Sequence, residues 1–168
     1  MEYSENKIQR LLRSKYLSTS KYIIENIYFF KYNWESDMFI QKTNGYVYEI
    51  EIKISVSDFK ADKKKDEKHN TLINGGLRPN KFFYCLPKEI ADKVEIPKYA
   101  GLIVVTELGV FVKKEAPFLH KDKLEVDKKI ANKMYSRWRT EVFNVRQLKE
   151  DIKILKRRLD SPNLFNQK

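Results

Sequence analysis

Cysteine is almost missing from this chain: Cys85 is the only one in 168 residues. A single cysteine excludes an intrachain disulfide and cannot build a thiolate zinc site. It stands in an apolar, strand-like run, where a buried and inert thiol is expected. Histidine is nearly as scarce, and His69 and His120 are too few and too far apart to replace the missing thiolates. No apolar run approaches the roughly 18 residues of a membrane-spanning helix. The start of the chain, Met1 to Leu17, is charged and lacks the apolar core of a signal peptide. Internal repeats and low-complexity segments are missing too. These absences argue against a disulfide scaffold, a cysteine-built zinc module and a membrane span. They lead us to expect a cytoplasmic protein in a reducing compartment.

Acidic residues are also in deficit, with 23 Asp and Glu against 34 Lys and Arg, a net charge of +11. An excess of that size attracts polyanions, of which nucleic acid is the usual one. Solubility or an acidic protein partner would also explain it. The length suits one domain with a substantial core and is short for two.

What the chain does have is concentrated in Tyr48-Glu49-Ile50-Glu51-Ile52-Lys53, which follows Asp37 and a Thr43-Asn44-Gly45 turn. In an extended strand Glu51 and Lys53 leave one face, while Ile50, Ile52 and Ile54 leave the other and can enter the core. The turn length decides whether Asp37 joins the charged face. A two-residue Asn44-Gly45 loop would pair Thr43 with Tyr46 and set Asp37 against Ile52. A three-residue loop pairs Lys42 with Tyr46, sets Asp37 against Glu51 and Glu35 against Lys53, and places Met38 against Ile50. Three-residue loops need positive φ at their last position, which Gly45 supplies. We therefore expect the three-residue loop, since a slip of one residue would turn every side chain to the wrong face. Two facing carboxylates beside an ammonium suit a divalent cation and a phosphodiester. The same alternation also describes a half-buried strand with ion pairs on its wet face.

The longer passage from Glu35-Ser36-Asp37 through Glu51-Ile52-Lys53 to Ser55, Asp58-Phe59 and Asp62 resembles the PD-(D/E)XK nuclease superfamily, and within it the small MmcB-type DNA repair proteins and related phage nucleases. Phe82 to Pro87 and Tyr99 to Val104 resemble the later strands of that family. The resemblance spans roughly residues 35–106, and Ser36 stands where the superfamily's name has Pro. It implies a restriction-endonuclease-like core: an α/β fold with a mixed central sheet flanked by helices. It further implies Asp37, Glu51 and Lys53 as the catalytic set, with Asp37, Glu51 and the Ile52 carbonyl holding Mg²⁺, or Mn²⁺ as a substitute. Glu5 would be an outer metal ligand, or else a solvated carboxylate at a helix start. Glu35 and Glu49 are further candidates on the same face. Lys53 would orient the attacking water, because a carboxylate-rich site favours its charged form.

Elsewhere the pattern predicts a helix over 3–16, with Ile8, Leu11 and Leu12 on one face. Strands are expected near 22–30, 81–86, 101–106 and 110–113. Ser55 and Asp58 form a capping-box pattern opening a helix from about Val56 to Asn70. Asp58, Asp62, Lys65 and His69 fall along one stripe of it. Lys63, Lys64, Lys65, Lys68, His69 and Arg78, together with Arg157 and Arg158, are the expected nucleic-acid contacts. The nuclease core is expected over 1–120 and a basic helical extension, packed on that core, over 121–168. In the extension Val145, Leu148, Ile152, Leu155 and Leu159 recur at three-four spacing, a stripe that suits packing on the core, a DNA clamp or the seam of a homodimer. Tyr135 and Trp138 suit base stacking or a core position. The expected activity is metal-dependent hydrolysis of DNA in repair, recombination or phage DNA processing. The alternatives are a non-catalytic nucleic-acid-binding module and a structural subunit whose carboxylates serve only ion pairs.

Overall fold

The computed structural model describes residues 3–159, so residues 160–168 of the expected extension and the Leu159 side chain lie outside it. The chain divides into two compact units, residues 1–124 and 125–168. The first holds a six-stranded sheet whose strands lie in sequence order: β1 (Ser20–Lys31), β2 (Trp34–Lys42), β3 (Val47–Ile52), β4 (Lys81–Pro87), β5 (Ala100–Thr106) and β6 (Gly109–Lys114). β1 to β3 form an antiparallel meander, β3, β4 and β5 run parallel, and β6 returns antiparallel. The sheet is mixed, as expected. Parallel neighbours require crossovers. The first crossover carries α2 (Val56–Asp62) and α3 (Asp66–Asn74). The second carries α4 (Lys88–Ala91), a single helical turn that the sequence pattern does not signal.

The leading helix α1 (Glu5–Tyr16) begins where the Ser4 hydroxyl accepts the Lys7 N–H, with Glu5 in its first turn and Arg13 and Lys15 in its last. Each charge complements the helix dipole. Ile8 and Leu12 are fully buried and meet Met38, Ile40, Ile50 and Ile52 from the apolar face of the hairpin. Phe83, Cys85, Ile103 and Val105 extend that core across β4 and β5. Gly101 is required there, because a Cβ would stand 2.4 Å from the Phe83 ring and 2.7 Å from the Ala116 nitrogen.

The hairpin takes the three-residue loop. The Lys42 N–H donates to the Tyr46 carbonyl at 2.8 Å, Met38 pairs with Ile50, and Gly45 has φ of 89°. That register sends Asp37, Glu49 and Glu51 to the face opposite α1. Phe82 and Tyr84 leave β4 on the same side, since Glu49 pairs with Phe82 and Glu51 with Tyr84. This face is not wet. Glu49, Glu51 and Lys53 are all buried, as are Phe59 of α2 and Leu72 of α3.

Two helix expectations need correction. The single helix from Val56 to Asn70 is two helices, broken across Lys63–Lys65. At the break the Asp62 carbonyl accepts the Lys65 N–H at 2.9 Å and bonds His69 Nε2 at 2.8 Å, so the ladder stops there. In the extension, expected to be helical over 121–168, the helix begins at Asp127. Upstream of it Asn80 Nδ2 donates to the carbonyls of His120 and Asp122, which are thereby committed to a tertiary contact. Among the described residues the second unit holds one helix, α5 (Asp127–Leu159). Among the described residues no helix is long and apolar enough to cross a membrane.

Candidate functional site

Asp37, Glu51 and Lys53 meet the start of α3 in a cleft of about 470 Å³. Its lining includes Trp34, Glu35, Asp37, Glu51, Lys53, Lys65 and Lys68. Asp37 is carried by β2 and half-buried, and its Oδ2 accepts the Ile52 N–H at 2.7 Å. This bond ties the carboxylate to the end of β3, directly beside Glu51. Burial, and then the charge of Glu51, push the Asp37 carboxyl up to about 7. Two carboxylates crowded in this way favour the arrival of a cation.

Glu51 is held on both sides. Lys53 Nζ donates to its Oε1 at 2.8 Å, and Lys68 Nζ donates to its Oε2. Lys53 also lies 3.7 Å from Asp58 and 3.8 Å from Asp62. Burial works against the Lys53 charge, but Glu51, Asp62 and Asp37 outweigh it and its pKa is raised. Lys53 is therefore a retained cation, suited to orienting a neighbour rather than taking its proton. For Lys68, too, burial is outweighed, here by Glu49 and Glu51, and its pKa is also raised. Lys68 sits 3.3 Å from Glu49 and packs 5.5 Å from the Trp34 ring centroid and 5.1 Å from that of Phe82. Trp34 Nε1 donates to Glu49 Oε1 at 2.6 Å, while Glu49 Oε2 is buried without a hydrogen-bond partner among the described residues. Burial pushes Glu49 up to about 7, against the pull of Lys68.

Below this layer Asp62 is buried. Tyr84 donates to its Oδ2 at 2.7 Å, and Lys65 lies 3.3 Å from its Oδ1. Burial alone would raise the Asp62 pKa, but His69, Lys68, Lys53 and Tyr84 hold it well below the usual carboxylate range. His69 must donate from Nε2 to the Asp62 carbonyl, which leaves Nδ1 to accept from Tyr99 at 2.9 Å. Glu5 stands at the exposed start of α1. Burial raises its carboxyl; Lys53 opposes that rise and Glu51 reinforces it, which sets Glu5 within electrostatic reach of the hairpin pair. One turn on, Gln9 Nε2 donates to Glu5 at 3.2 Å, to Asn26 at 2.8 Å and to the Asp37 carbonyl at 3.1 Å. Asn26 adopts φ of 51°, a conformation that residues with a side chain seldom take.

The oxygens of Asp37 and Glu51 are hard donors that fit Mg²⁺ or Mn²⁺. Among the described residues no three His, Cys, Asp or Glu side chains converge as ligands. A cation would rest on these two carboxylates, with Ile52 supplying its carbonyl and water completing the shell, a sparse protein contribution that Mg²⁺ accepts. Both Glu51 oxygens are engaged by lysines, so a cation would have to share or displace one of them.

The expected nucleic-acid contacts divide into two groups. Lys63, Lys64 and Lys65 are exposed at the helix break, and Arg157 and Arg158 are exposed on α5. Lys68 and His69 are buried and Arg78 is half-buried, each with donors engaged inside the protein. Lys68 and His69 are buried in the networks above. Arg78 donates to the Leu72 carbonyl at 2.7 Å and the Leu119 carbonyl at 2.9 Å, capping the end of α3. Sequence reasoning misses Trp34, Gln9, Asn26 and Tyr84. Only Glu49, two residues from Glu51 on the same strand face, carries a sequence signal for its place.

No protein-family model and no curated protein matches the chain. Among solved structures the chain is similar to a protein of unknown function from Silicibacter pomeroyi, with a TM-score of 0.59 over 99% of this chain and 100% of that one, at 15% identity. Identity that low shows a shared fold alone.

Proposed function

We propose that the chain is a divalent-cation-dependent nuclease of restriction-endonuclease-like fold that hydrolyses DNA phosphodiester bonds in the cytoplasm, in repair, recombination or phage DNA processing. One observation carries this reading: Asp37 and Glu51 face each other across the β2–β3 hairpin, with the retained Lys53 ammonium beside them, in one cleft. The resemblance of residues 35–106 to the PD-(D/E)XK superfamily supports it, as does the mixed sheet. When bound, Mg²⁺ would offset the charge on the phosphoryl oxygens and lower the pKa of a water. Asp37 and Glu51 would hold it, with Glu5 and Ile52 at its margin. Lys53 would orient the attacking water, and the net charge of +11 would supply attraction for the backbone. Lys65, which lines the cleft, and the exposed Lys63 and Lys64 of the same helix break would contribute to that attraction.

The test is a panel of labelled single-stranded, duplex, flapped and branched DNAs, incubated with Mg²⁺, Mn²⁺ or EDTA. Wild type should cut at least one substrate with metal and none with EDTA. Asp37→Asn, Glu51→Gln and Lys53→Ala should each abolish cutting, or reduce it at least about a hundredfold, while DNA binding persists. A wild type inert on the whole panel, or three variants as active as wild type, sinks the proposal.

A second reading has a specific observation behind it. Both Glu51 oxygens accept from lysines, as they would if the network only stabilised a nucleic-acid-binding module. Calorimetric titration with Mn²⁺ separates the two, because a purely structural ion network would release no binding heat.

A further inference from the structure

Helix α5 runs unbroken for 33 residues, about 50 Å at the α-helical rise. Its apolar side chains are exposed: Val145 by 50%, Leu148 by 59%, Ile152 by 52% and Leu155 by 55%. These four follow one another at spacings of three, four and three, the 3.5-residue period of a coiled-coil seam rather than the broader face of a surface helix. In heptad terms Val145 and Ile152 occupy a, while Leu148 and Leu155 occupy d. Carried one heptad back, the pattern places Trp138, 58% exposed, at a and Glu141 at d. Between Trp138 and Arg158 the other positions are mostly polar, with Arg146, Gln147, Glu150, Lys153 and Arg157 on the outer side; the exceptions are Val142, Phe143, 66% exposed, and Ile154, 45% exposed.

We propose that α5 is a dimerisation helix that pairs in parallel with α5 of a second copy of this chain. Two features select that occupant. A β-branched residue at a with leucine at d is the combination that favours two parallel strands over higher assemblies. The flanking charges then set the direction. In a parallel pair, position g of one helix faces position e of the next heptad on its neighbour. Asp151 at g would therefore meet the other copy's Lys156 at e, once on each side of the seam. In an antiparallel pair, e faces e, and Lys149 would meet the other copy's Lys156 in repulsion. Asp151 is steadied on its own helix by Gln147, whose Nε2 donates to it at 3.3 Å. Two full heptads make a short seam, so the pairing is concentration-dependent.

The test uses the full chain in sedimentation equilibrium between about 1 and 500 μM, a range that brackets modest dissociation constants. Wild type should pass from monomer to dimer, and Ile152→Asp should remain monomeric throughout. Lys156→Glu and Asp151→Lys should each raise the dissociation constant about tenfold by turning two attractions into repulsions. The double variant D151K/K156E should return it towards wild type, a rescue that no within-helix effect predicts for residues five apart. For direction, Val145→Cys and Leu155→Cys are oxidised separately, with wild type controlling for the buried Cys85. Each variant alone should form a covalent dimer. A wild type that stays monomeric over the whole range overturns the proposal, and so does a trimer. Cross-linking only when the two cysteine variants are mixed overturns the parallel arrangement, as does failure of the charge swap to rescue.

Discussion

Replacing Lys68 with methionine tests the buried network where it is most heavily charged. Methionine keeps most of the apolar stem between Trp34 and Phe82, so the packing loss is small. What disappears is the cation 3.3 Å from Glu49 and bonded to Glu51. Glu49 would keep only the Trp34 N–H on one oxygen, with the other already unpartnered among the described residues. Removing one partner of a buried ion pair costs about 3–5 kcal/mol, because the remaining charge is left in a poorly solvated place. For a unit of this size that is about 10–20 °C in Tm. Urea unfolding in EDTA measures the loss. Glu49→Gln in the Lys68→Met background leaves an oxygen for Trp34 and removes the stranded charge, so the double variant should be more stable than the sum of the single losses by about 0.5–3 kcal/mol. Lys68→Met also frees one oxygen of Glu51. If the metal proposal holds, Mg²⁺ should stabilise this variant more than wild type, and a tenfold gain in affinity would add about 1.4 kcal/mol at saturation. A loss in EDTA below about 1 kcal/mol, or strict additivity with Glu49→Gln, would refute the account of the network independently of any catalysis.

Asp62, held below its ordinary value of 3.8, contributes stability that is complete above that pH and declines as the pH falls further. Acid titration of unfolding should therefore be shallower in Asp62→Asn than in wild type, and parallel curves would count against the depressed pKa. Gly101→Ala should be strongly destabilising, by about 3 kcal/mol or more, because its new methyl overlaps both a buried ring and backbone; a Tm indistinguishable from wild type would mean that Phe83 can move aside. Replacing the exposed Lys63 and Lys64 with alanine should reduce the dependence of DNA affinity on salt by about one unit of log–log slope for each phosphate left unneutralised, equally for all sequences. An unchanged slope would remove the helix break from the DNA-binding surface.

The hairpin is legible in the sequence because two local rules agree on it. The pleat assigns isoleucines and carboxylates to opposite faces, and Gly45 supplies the positive φ of a three-residue loop, so the register that brings Asp37 to Glu51 satisfies core, charge and turn at once. Strands β4 and β5 are legible for a simpler reason: parallel strands covered on both faces read as continuous apolar runs. The burial of the charged face is not legible. Alternation along β3 shows only that its two faces differ, and the face with Glu49 and Glu51 is covered because α2 and α3 lie on it.

Lys68 shows why that cover cannot be counted out from the pattern. On one continuous helix its place relative to Glu51 would follow from spacing alone, but the break across Lys63–Lys65 resets the phase, and nothing in three successive lysines announces a break. Once the phase is lost, a basic residue after a basic run reads as solvent-facing, and the pattern assigns Lys68 and His69 to phosphate. Arg78 is misread in the same way, since its partners are the carbonyls ending α3 and that of Leu119, 41 positions away. Roles that depend on elements far apart along the chain meeting one another do not follow from spacing. Those that depend on one element and its own repeat do, which is why a symmetric partner is the occupant that sequence spacing can specify for α5. Its heptad positions are set by α5 alone, and under the proposed pairing a second copy would present the same positions in return.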